Sequence, residues 1–335
     1  MQLKQILILL ALAMATSACQ RTGADDPATY PNRPVTLVVG YSAGGMVDTA
    51  SRGIQIYLQK ALGTSVIIEN KPGSSALIAA NYVAGARPDG YTLMIGTNAT
   101  ILNSQIYPDS WLSDQSFIDS FIPIYAWVNA DGNGIAVAKE SPFRSMDDLV
   151  AESHKRSVTL CMGGGLGSGD HITSLMIRKA YGGDWTIVPM DSGAEATAAV
   201  LGSKCDAGSV SPAGASIDTN SLNMLAVTMD RRAVRWPDTP TFAELGKTDV
   251  TFNFVIGAMA PRNTPPEIIA KLEAAFHQAR NDPEYIAWAT ETSQSIGDEG
   301  WPAQRFGDFL KQADASLQDI IPGLQEDIRK AQQGN

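Results

Sequence analysis

Short apolar segments alternate with amphipathic stretches in the first part of the chain. Val35–Val39 (VTLVV) is β-branched and apolar, and it predicts a strand that ends in a turn of small residues. The segments that follow keep the alternation and predict a helix over Thr49–Leu62 ended by Gly63, a strand over Ser65–Glu69, a helix over Ser74–Ala84 and a strand over Tyr91–Ile95. A strand-helix-strand-helix-strand order predicts a mainly parallel sheet with helices on its faces.

A second unit of the same kind follows. Phe121–Val128 and Gly134–Ala138 look like segments that cross from one unit to the other, and a helix begins near Ser145. The second sheet then draws on strands over Ser157–Cys161, Trp185–Pro189, Ala207–Ser211 and Leu222–Thr228, with helices over Ile172–Tyr181 and Ala194–Leu201. This repetition predicts two α/β lobes.

The last third is expected to be mostly helical after a short strand over Thr251–Met259. Thr264–Glu267 (TPPE) predicts a capping box, with a proline at the first helical position. A helix over Phe306–Pro322 then carries an apolar stripe that favours burial.

The turn after the first strand is the main candidate for chemistry. Gly40–Gly45 (GYSAGG) is almost free of large side chains, so backbone N–H groups can approach a ligand at the positive end of the next helix. Such a corner favours anions. Asp48 and Arg52 are four residues apart and are expected to form a structural ion pair on the helix surface. Thr97 and Asn98 follow the third strand, at the edge where open α/β sheets bind ligands.

Composition excludes some classes of function. The chain has 335 residues, 44% hydrophobic and 18% charged, which is enough for two buried cores. Its net charge of −10 and the lack of a basic patch exclude a nucleic-acid binder. They do not exclude a small anion, because surface carboxylates beyond about 8 Å are screened at physiological salt whereas nearby amides are not.

The N-terminus predicts export. Residues 1–19 carry Lys4, a short apolar run and Cys19 at a lipobox-like site, and they predict a signal peptide with lipidation of Cys19. Thr16 stands where such sites more often have Leu, so ordinary cleavage is the alternative. Residues 20–29 are interpreted as a flexible tether, and the apolar run is too short to span a bilayer. We expect a periplasmic protein that meets the membrane only through this anchor.

Two cysteines remain beyond Cys19. Cys161 and Cys205 could form a disulfide in an oxidising compartment. The sequence does not give their separation in space, and we favour two buried free thiols.

The order of several motifs resembles one known family. The chain is similar to the periplasmic solute-binding proteins of tripartite tricarboxylate transporters, the Bug or TctC-like family. The matching motifs are Tyr30–Pro34, the glycine turn with Asp48 and Arg52, Glu69–Gly73, Pro88–Leu93, Gly167-Ser168 with His171, Leu225–Thr228, Pro237–Thr241, and Ala260-Pro261 with Thr264-Pro265.

The resemblance implies a two-lobed binding protein of type II-like fold that closes over a small carboxylate and presents it to a membrane permease. Lobe 1 would comprise residues 30–130 and 251–335, and lobe 2 residues 131–250. The ligand would be held by backbone amides of the first turn, with a second contribution from Gly167, Ser168 and His171. The residues of the first turn are Tyr41, Ser42, Ala43, Gly44, Gly45 and Met46. We expect a monomer that needs no cofactor.

Two segments depart from the family pattern. Met190-Asp191-Ser192-Gly193 replaces an aromatic residue followed by small residues, and Phe254–Gly257 replaces a run that usually contains Trp. Asp191 and Gly193 are included among the expected site residues. A carboxylate at Asp191 would repel a second ligand carboxylate or pair with a cationic group of the ligand.

Single motifs of the chain are also found in other classes of protein. Gly40-Tyr41-Ser42-Ala43-Gly44 matches the G-x-S-x-G nucleophile elbow of serine esterases, but too few residues precede it to supply the oxyanion loop. The glycine run at 163–169 lacks the spacing of a nucleotide-binding loop. No Cys, His and Asp cluster has metal-ligand spacing, so no catalytic or metal site is expected. A receptor that senses a ligand without transport is an open alternative. His171 is either a ligand donor or a packing residue.

Overall fold

The strands of the protein form two sheets. The computed structural model describes residues 27–163, 166–212, 218–292 and 296–333, so the signal segment, most of the tether and Cys19 lie outside the described residues. The strands are β1 Val35–Val39, β2 Val66–Asn70, β3 Thr92–Thr97, β4 Phe121–Gly132, β5 Gly134–Ala138, β6 Val158–Met162, β7 Trp185–Pro189, β8 Ala207–Val210, β9 Leu222–Val227, β10 Asn253–Pro261 and β11 Trp301–Pro302.

Both sheets are mixed: each contains parallel strands, as the sequence predicted, together with antiparallel ones. The first sheet has the order β11-β4-β10-β3-β1-β2, in which β2, β1 and β3 are parallel and the remaining pairings are antiparallel. The second has the order β7-β6-β8-β5-β9, in which β5 runs antiparallel to both of its neighbours. The antiparallel strands are mostly those that carry the chain between the sheets, and their direction is set by the crossing.

Helices cover the faces of the sheets. They are α1 Met46–Leu62, α2 Leu77–Ala84, α3 Asn98–Ile106, α4 Phe117–Ser120, α5 Met146–Ser153, α6 Gly169–Tyr181, α7 Gly193–Leu201, α8 Pro266–Arg280, α9 Pro283–Glu291, α10 Ala303–Leu317 and α11 Ile321–Gln333. Helices α3 and α9 were not predicted. The helix expected to stop at Pro322 ends at Leu317, and α11 follows it.

The capping box predicted at Thr264 does not form. Helix α8 has a proline at its first position, as expected, but it begins at Pro266, its N-cap residue is Pro265 and no side chain caps it. The Thr264 hydroxyl instead donates to the carbonyl of Pro261, 2.8 Å away.

Burial on both faces explains why four of the five residues of β1 are apolar. Leu37 packs with Ile54 and Leu58 of α1 in one core cluster, and all three are fully buried. Val38 points to the other face and packs in a second cluster with Met94. Complete burial of such a side chain contributes about 1.5 to 3 kcal/mol to the stability of the fold. These contacts therefore fix the C-terminal end of β1, where the glycine turn begins.

Thr228 joins the two crossings between the sheets. The Asn133 N–H donates to the Thr228 hydroxyl oxygen at 3.0 Å, and that hydroxyl donates to the Phe252 carbonyl at 2.8 Å. The Thr228 N–H also donates to the Asn133 carbonyl, and the Thr228 carbonyl accepts a hydrogen bond from the Phe252 N–H. One fully buried threonine therefore fixes the crossings side by side.

The final helix contacts both halves of the molecule. Helix α11 packs against α3, which follows a strand of the first sheet, and against α6, which follows a strand of the second. Leu324 and Ile328 of α11 share a core cluster with Ile172 and Leu175 of α6. The lobe boundaries expected from the sequence stay a prediction.

Cys161 and Cys205 form a disulfide, which corrects the preference for free thiols. Their Cα atoms are 5.9 Å apart, and the bond joins β6 to the turn before β8. Because β6 and β8 are neighbours in the sheet, their pairing brings together two cysteines that are 44 residues apart.

Candidate functional site

A cavity of about 670 Å³ lies between the two sheets, at the ends of their strands. The first wall comes from the turn after β1, the loop after β2 and helix α3. The second wall comes from the corners after β6, β7 and β8, and the crossing residues close one side. Its lining residues are Gly40–Val47, Pro72, Gly73, Ala76, Ala99, Asn103, Gly132, Asn133, Gly167–Asp170, Asp191–Gly193, Val210, Ser211 and Phe254.

A buried carboxylate supports the first corner. The Gly44 N–H donates to Asp48 Oδ2 at 2.8 Å, and Arg52 Nε donates to the same oxygen at 2.9 Å. Asn70 Nδ2 donates to Asp48 Oδ1 at 2.9 Å and to the Tyr41 carbonyl at 3.0 Å. Burial raises the pKa of Asp48, but the hydrogen bonds from Arg52, Gly44 and Asn70 outweigh it and keep the pKa below its usual value.

The Asp48–Arg52 pair is therefore structural, as expected, but it is not a surface pair. The Asp48 side chain is only 2% exposed, whereas that of Arg52 is 49% exposed. The carboxylate lies beneath the glycine turn and holds its backbone, and the Arg52 guanidinium balances its charge from the outside.

The first corner presents an open helix N-terminus to the cavity. Gly45 is the N-cap of α1, and no side chain accepts a hydrogen bond from the first turn of this helix. The Gly45 N–H is bonded to the Ser42 carbonyl at 3.2 Å. The amides of Met46 and Val47 occupy first-turn positions for which a helix has no internal acceptor. These two residues and Ser42 line the cavity, so this wall is suited to an anion.

The hydroxyl group of Tyr41 is held by two threonines, one in β3 and one in α3. The hydroxyl lies 3.1 Å from Thr97 Oγ1 and 3.3 Å from Thr100 Oγ1, and burial raises the pKa of Tyr41. Thr97 itself is 1% exposed and forms a capping box with Thr100 at the start of α3. Asn98 is 2% exposed and binds the backbone of β10 through Asn253 and Val255.

The second corner is closed by its own side chains. Ser168 is the N-cap of α6, and its hydroxyl oxygen accepts a bond from the His171 N–H at 3.2 Å. The hydroxyl donates to the Gly163 carbonyl at 2.8 Å. The N-terminus of α6 is therefore capped by a side chain of the chain itself, whereas that of α1 is not.

His171 supports the second corner from below. Its side chain is fully buried, and Nδ1 accepts a hydrogen bond from the Gly167 N–H at 3.0 Å. Nε2 then carries the ring proton in the neutral form and lies 3.4 Å from Asp327 Oδ2 on α11. Of the two interpretations left open by the sequence, the structure favours the packing residue.

A third corner carries Asp191. Ser192 caps α7 by accepting a bond from the Glu195 N–H, and Glu195 Oε2 accepts one from the Asp191 N–H at 3.1 Å. Gly193 lies so close to Gly163 that a Cβ on Gly163 would be 2.6 Å from the Gly193 nitrogen. The carboxylate of Asp191 is therefore held on a fixed backbone at the wall of the cavity.

The structure brings most of the expected site residues together. Those that line the cavity are Tyr41, Ser42, Ala43, Gly44, Gly45, Met46, Gly167, Ser168, Asp191 and Gly193. Three other expected residues, Thr97, Asn98 and His171, lie beneath the walls and are not in the lining. Their side chains make hydrogen bonds within the fold, in a helix cap and between elements.

Six polar or aromatic lining residues were missed from the sequence. Asn103 lies on the unpredicted helix α3, Asn133 at the crossing and Phe254 in β10, and the corners of the second wall carry Asp170, Ser192 and Ser211. Asp170 stands two residues after Ser168, and its place next to a predicted glycine corner was the signal that could have identified it.

The esterase geometry is not present at Ser42. The three histidines of the chain, His154, His171 and His277, all belong to the described residues, and none lines the cavity. His171 is directed toward Asp327, and the ring of His277 lies beside Asn281.

The described part of the chain shows no group of three or more His, Cys, Asp or Glu residues arranged to hold a metal ion. Within those same residues, no helix has the length and apolar character needed to cross a membrane.

Two mixed α/β sheets with a cavity between them define the class of two-lobed solute-binding proteins. Solved structures of this class match the chain closely. A protein of R. palustris with adipate (Rpa4515) has a TM-score of 0.75 at 25% identity, over 89% of this chain and 98% of that one. MatC from Rhodopseudomonas palustris, with bound malate, has a TM-score of 0.73 at 25% identity, over 87% of this chain and 100% of that one.

The family model "Tripartite tricarboxylate transporter family receptor" matches residues 50–313. The chain belongs to this family, which confirms the resemblance found in the sequence. Among its relatives, a UPF0065 protein in the gbd 5' region of Cupriavidus necator is 29% identical, over 85% of this chain and 87% of the relative. BugT of Bordetella pertussis is 25% identical, over 83% of this chain and 85% of that protein.

The family and the matching structures are solute-binding proteins and not enzymes, which contradicts the esterase alternative. The family consists of periplasmic binding proteins, and this supports a periplasmic location.

Proposed function

We propose that the protein captures a small organic carboxylate between its lobes and delivers it to the permease of a tripartite transporter. The open N-terminus of α1 carries this proposal. It faces a cavity whose first wall offers backbone amides and small side chains, and the carboxylate beneath this corner, Asp48, is buried and paired.

The energetics of such a site are sufficient without a basic residue. A hydrogen bond to a charged group contributes roughly 1.5 to 3 kcal/mol, so three or four bonds to one carboxylate, less the cost of ordering, reach about −8 kcal/mol, which corresponds to a micromolar Kd. A ligand that bonds to both walls stabilises the closed arrangement, because only that arrangement makes both sets of contacts. The permease would then recognise the closed form.

Two relatives with solved ligands support the proposed class of ligand. Adipate and malate, the ligands in the two R. palustris proteins, are both small dicarboxylates. We also propose that Cys19 anchors the mature protein to a membrane as a lipoprotein, on the strength of the lipobox-like sequence alone.

Calorimetry and thermal shift with a panel of carboxylates test the proposal. The panel contains C4 to C6 di- and tricarboxylates, aromatic carboxylates, monocarboxylates and amino acids. We expect micromolar binding of at least one acid and no hydrolysis of ester substrates. Failure of every carboxylate to bind would contradict the proposal, and ester turnover that is lost in Ser42→Ala would favour an enzyme.

A further inference from the structure

The two walls of the cavity differ in charge. The first wall ends in the uncapped N-terminus of α1, and its carboxylate, Asp48, lies buried beneath it. The second wall contains two carboxylates in the lining, Asp170 and Asp191. None of the described residues that line the cavity is Lys, Arg or His.

Serine caps satisfy part of the helix N-termini on the second wall. Ser168 and Ser192 each accept a hydrogen bond from the N–H at the third position of their helix, so one first-turn donor of α6 and one of α7 is satisfied. The N–H groups of Gly167 and Asp191 donate to His171 Nδ1 and Glu195 Oε2. This wall therefore offers an anion fewer donors, and it adds the two aspartate carboxylates, which the first wall lacks.

Asp191 is the more accessible of the two aspartates. It is exposed, and no ion pair joins it to a Lys or Arg of the described chain. Asp170 is partly buried, and its Oδ1 accepts a bond from the Ser209 hydroxyl at 3.3 Å. Ser209 is fully buried, so it holds Asp170 against the floor of the second wall.

A second carboxylate on the ligand would meet these two negative charges in a cavity that offers it no cationic side chain. An ammonium group would instead find two carboxylate acceptors. Where water is partly excluded, attraction between opposite charges and repulsion between like charges are both stronger than in bulk water. The wall therefore selects against dicarboxylates and in favour of cations.

We propose that Asp170 and Asp191 form an ammonium subsite, and that the ligand is a small zwitterion with a carboxylate on the α1 side and an ammonium group on the other. This inference rests on the proposed function, because it assumes that the α1 corner holds the carboxylate. The two aspartates are the specificity-determining residues, and the distance between the walls sets the spacing between the two charged ends.

Matched ligands of equal length test the subsite. For chains of four, five and six carbons, the Kd is measured by calorimetry for the ω-amino acid, the dicarboxylate and the monocarboxylate. We expect one ω-amino acid to bind at least tenfold more tightly than the dicarboxylate of the same length. Asp191→Asn is expected to raise the Kd of that ω-amino acid about tenfold and to leave the Kd of the monocarboxylate within twofold of the wild-type value.

Asp238→Asn is the matched control, because it removes the same charge from an exposed turn that does not line the cavity. It should leave every Kd within twofold. Asp170→Asn supplies a second variant if Asp191→Asn alters folding, which far-UV circular dichroism and the Tm would reveal.

The outcomes separate this inference from the proposed function. Tighter binding of dicarboxylates than of ω-amino acids, with Kd values insensitive to both aspartate variants, would overturn the ammonium subsite and leave a carboxylate receptor intact. If no carboxylate of any class binds to the wild-type chain, the proposed function fails, and the subsite fails with it.

Discussion

Single residues fix the shape of the first corner. Asp48 is the clearest case, because it is charged, buried and bonded to Gly44, Arg52 and Asn70 at once. The motif Glu69–Gly73 was recognised in the sequence as a family feature, and the structure gives it a physical reason. Asn70 reaches from β2 to both Asp48 and the Tyr41 carbonyl, so it ties the turn to the neighbouring strand.

Gly45→Val should weaken carboxylate binding without unfolding the protein. Gly45 has φ −73° and ψ 169°, which any residue can adopt, and a Cβ there would lie 3.2 Å from the Ser42 carbonyl oxygen. The side chain would obstruct the approach of the ligand to the first-turn amides, and we expect at least a tenfold rise in Kd by calorimetry. The control is Gly85→Val, at an exposed helix end remote from the cavity. Unchanged affinity in Gly45→Val would exclude this turn as the binding site.

Asp206 should make the protein sensitive to acid. Two hydrogen bonds from Arg156 and the N–H and hydroxyl of Thr159 lower the pKa of Asp206 to about 2, against the opposing effect of burial. A depressed folded-state pKa gives stability that is complete above the unfolded value near 4 and is lost as the pH falls from about 4 to about 2, at most about 2 kcal/mol.

Urea unfolding at pH 3 and at pH 6 tests this effect. Asp206→Asn should lower the free energy of unfolding at pH 6. It should also reduce the difference between the free energies of unfolding measured at pH 6 and at pH 3. Asp238→Asn serves as the exposed control. An undiminished difference in Asp206→Asn would show that other groups cause the acid sensitivity.

Among the elements, helix α11 supports the second corner of the cavity, and its sequence does not predict this role. Asp327 on this helix lies against His171 and Arg178 of α6, and His171 in turn holds the Gly167 amide of the second corner. Burial raises the pKa of Asp327, but the bond with His171 and the charge of Arg178 keep it below its usual value. The C-terminal helix thus supports a wall of the cavity from behind.

His171→Leu should weaken ligand binding although His171 does not line the cavity. The substitution leaves the buried Gly167 N–H without its acceptor, which costs about 1 to 3 kcal/mol of stability, and we expect the Kd of the best ligand to rise five- to tenfold. Asp327→Asn is the comparison, because it keeps the Gly167–His171 bond and should leave the Kd within twofold. Equal losses of affinity in both variants would place the effect in α11 itself.

The disulfide between β6 and the turn before β8 should stabilise the second sheet. Closing a loop of 44 residues lowers the conformational entropy of the unfolded chain, and this raises the free energy of the unfolded state by about 4 kcal/mol at 25 °C. Replacing both Cys161 and Cys205 with Ala should therefore lower the free energy of unfolding by up to this amount, as measured by guanidinium denaturation. The wild type in reducing buffer is the second arm, and a stability that is the same with and without reductant would argue against the bond in solution.

At the scale of the whole molecule, the cavity depends on how the two sheets face each other. The crossings at Asn133 and Thr228 are bonded side by side, so a change in the angle between the lobes would concentrate in this pair of strands. A ligand that touches both walls would favour the closed angle.

Saturating ligand should both compact and stabilise the protein. At a ligand concentration of 100 times Kd, linkage contributes about 2.7 kcal/mol, which raises the Tm by about 4 °C in a chain of this size. Small-angle X-ray scattering should show a smaller radius of gyration with the best acid of the panel. A rise in Tm with an unchanged radius would mean that binding does not close the lobes.

Local pattern determined much of this protein. The apolar runs located most of the strands within one or two residues, because a strand buried on both faces, such as β1, consists mainly of apolar residues. The glycine corners and their helices were also evident, since a turn without side chains is a property of the sequence itself.

The tertiary structure decided what the pattern left open. The sheet order, the pairing of Cys161 with Cys205 and the burial of Asp48 depend on neighbours distant in the chain. The difference between the two walls has the same origin, because Ser168 and Ser192 look like any residue before a helix until their bonds are seen. Sequence specifies which groups are present, but only packing decides which of them are already satisfied and which remain to meet a ligand.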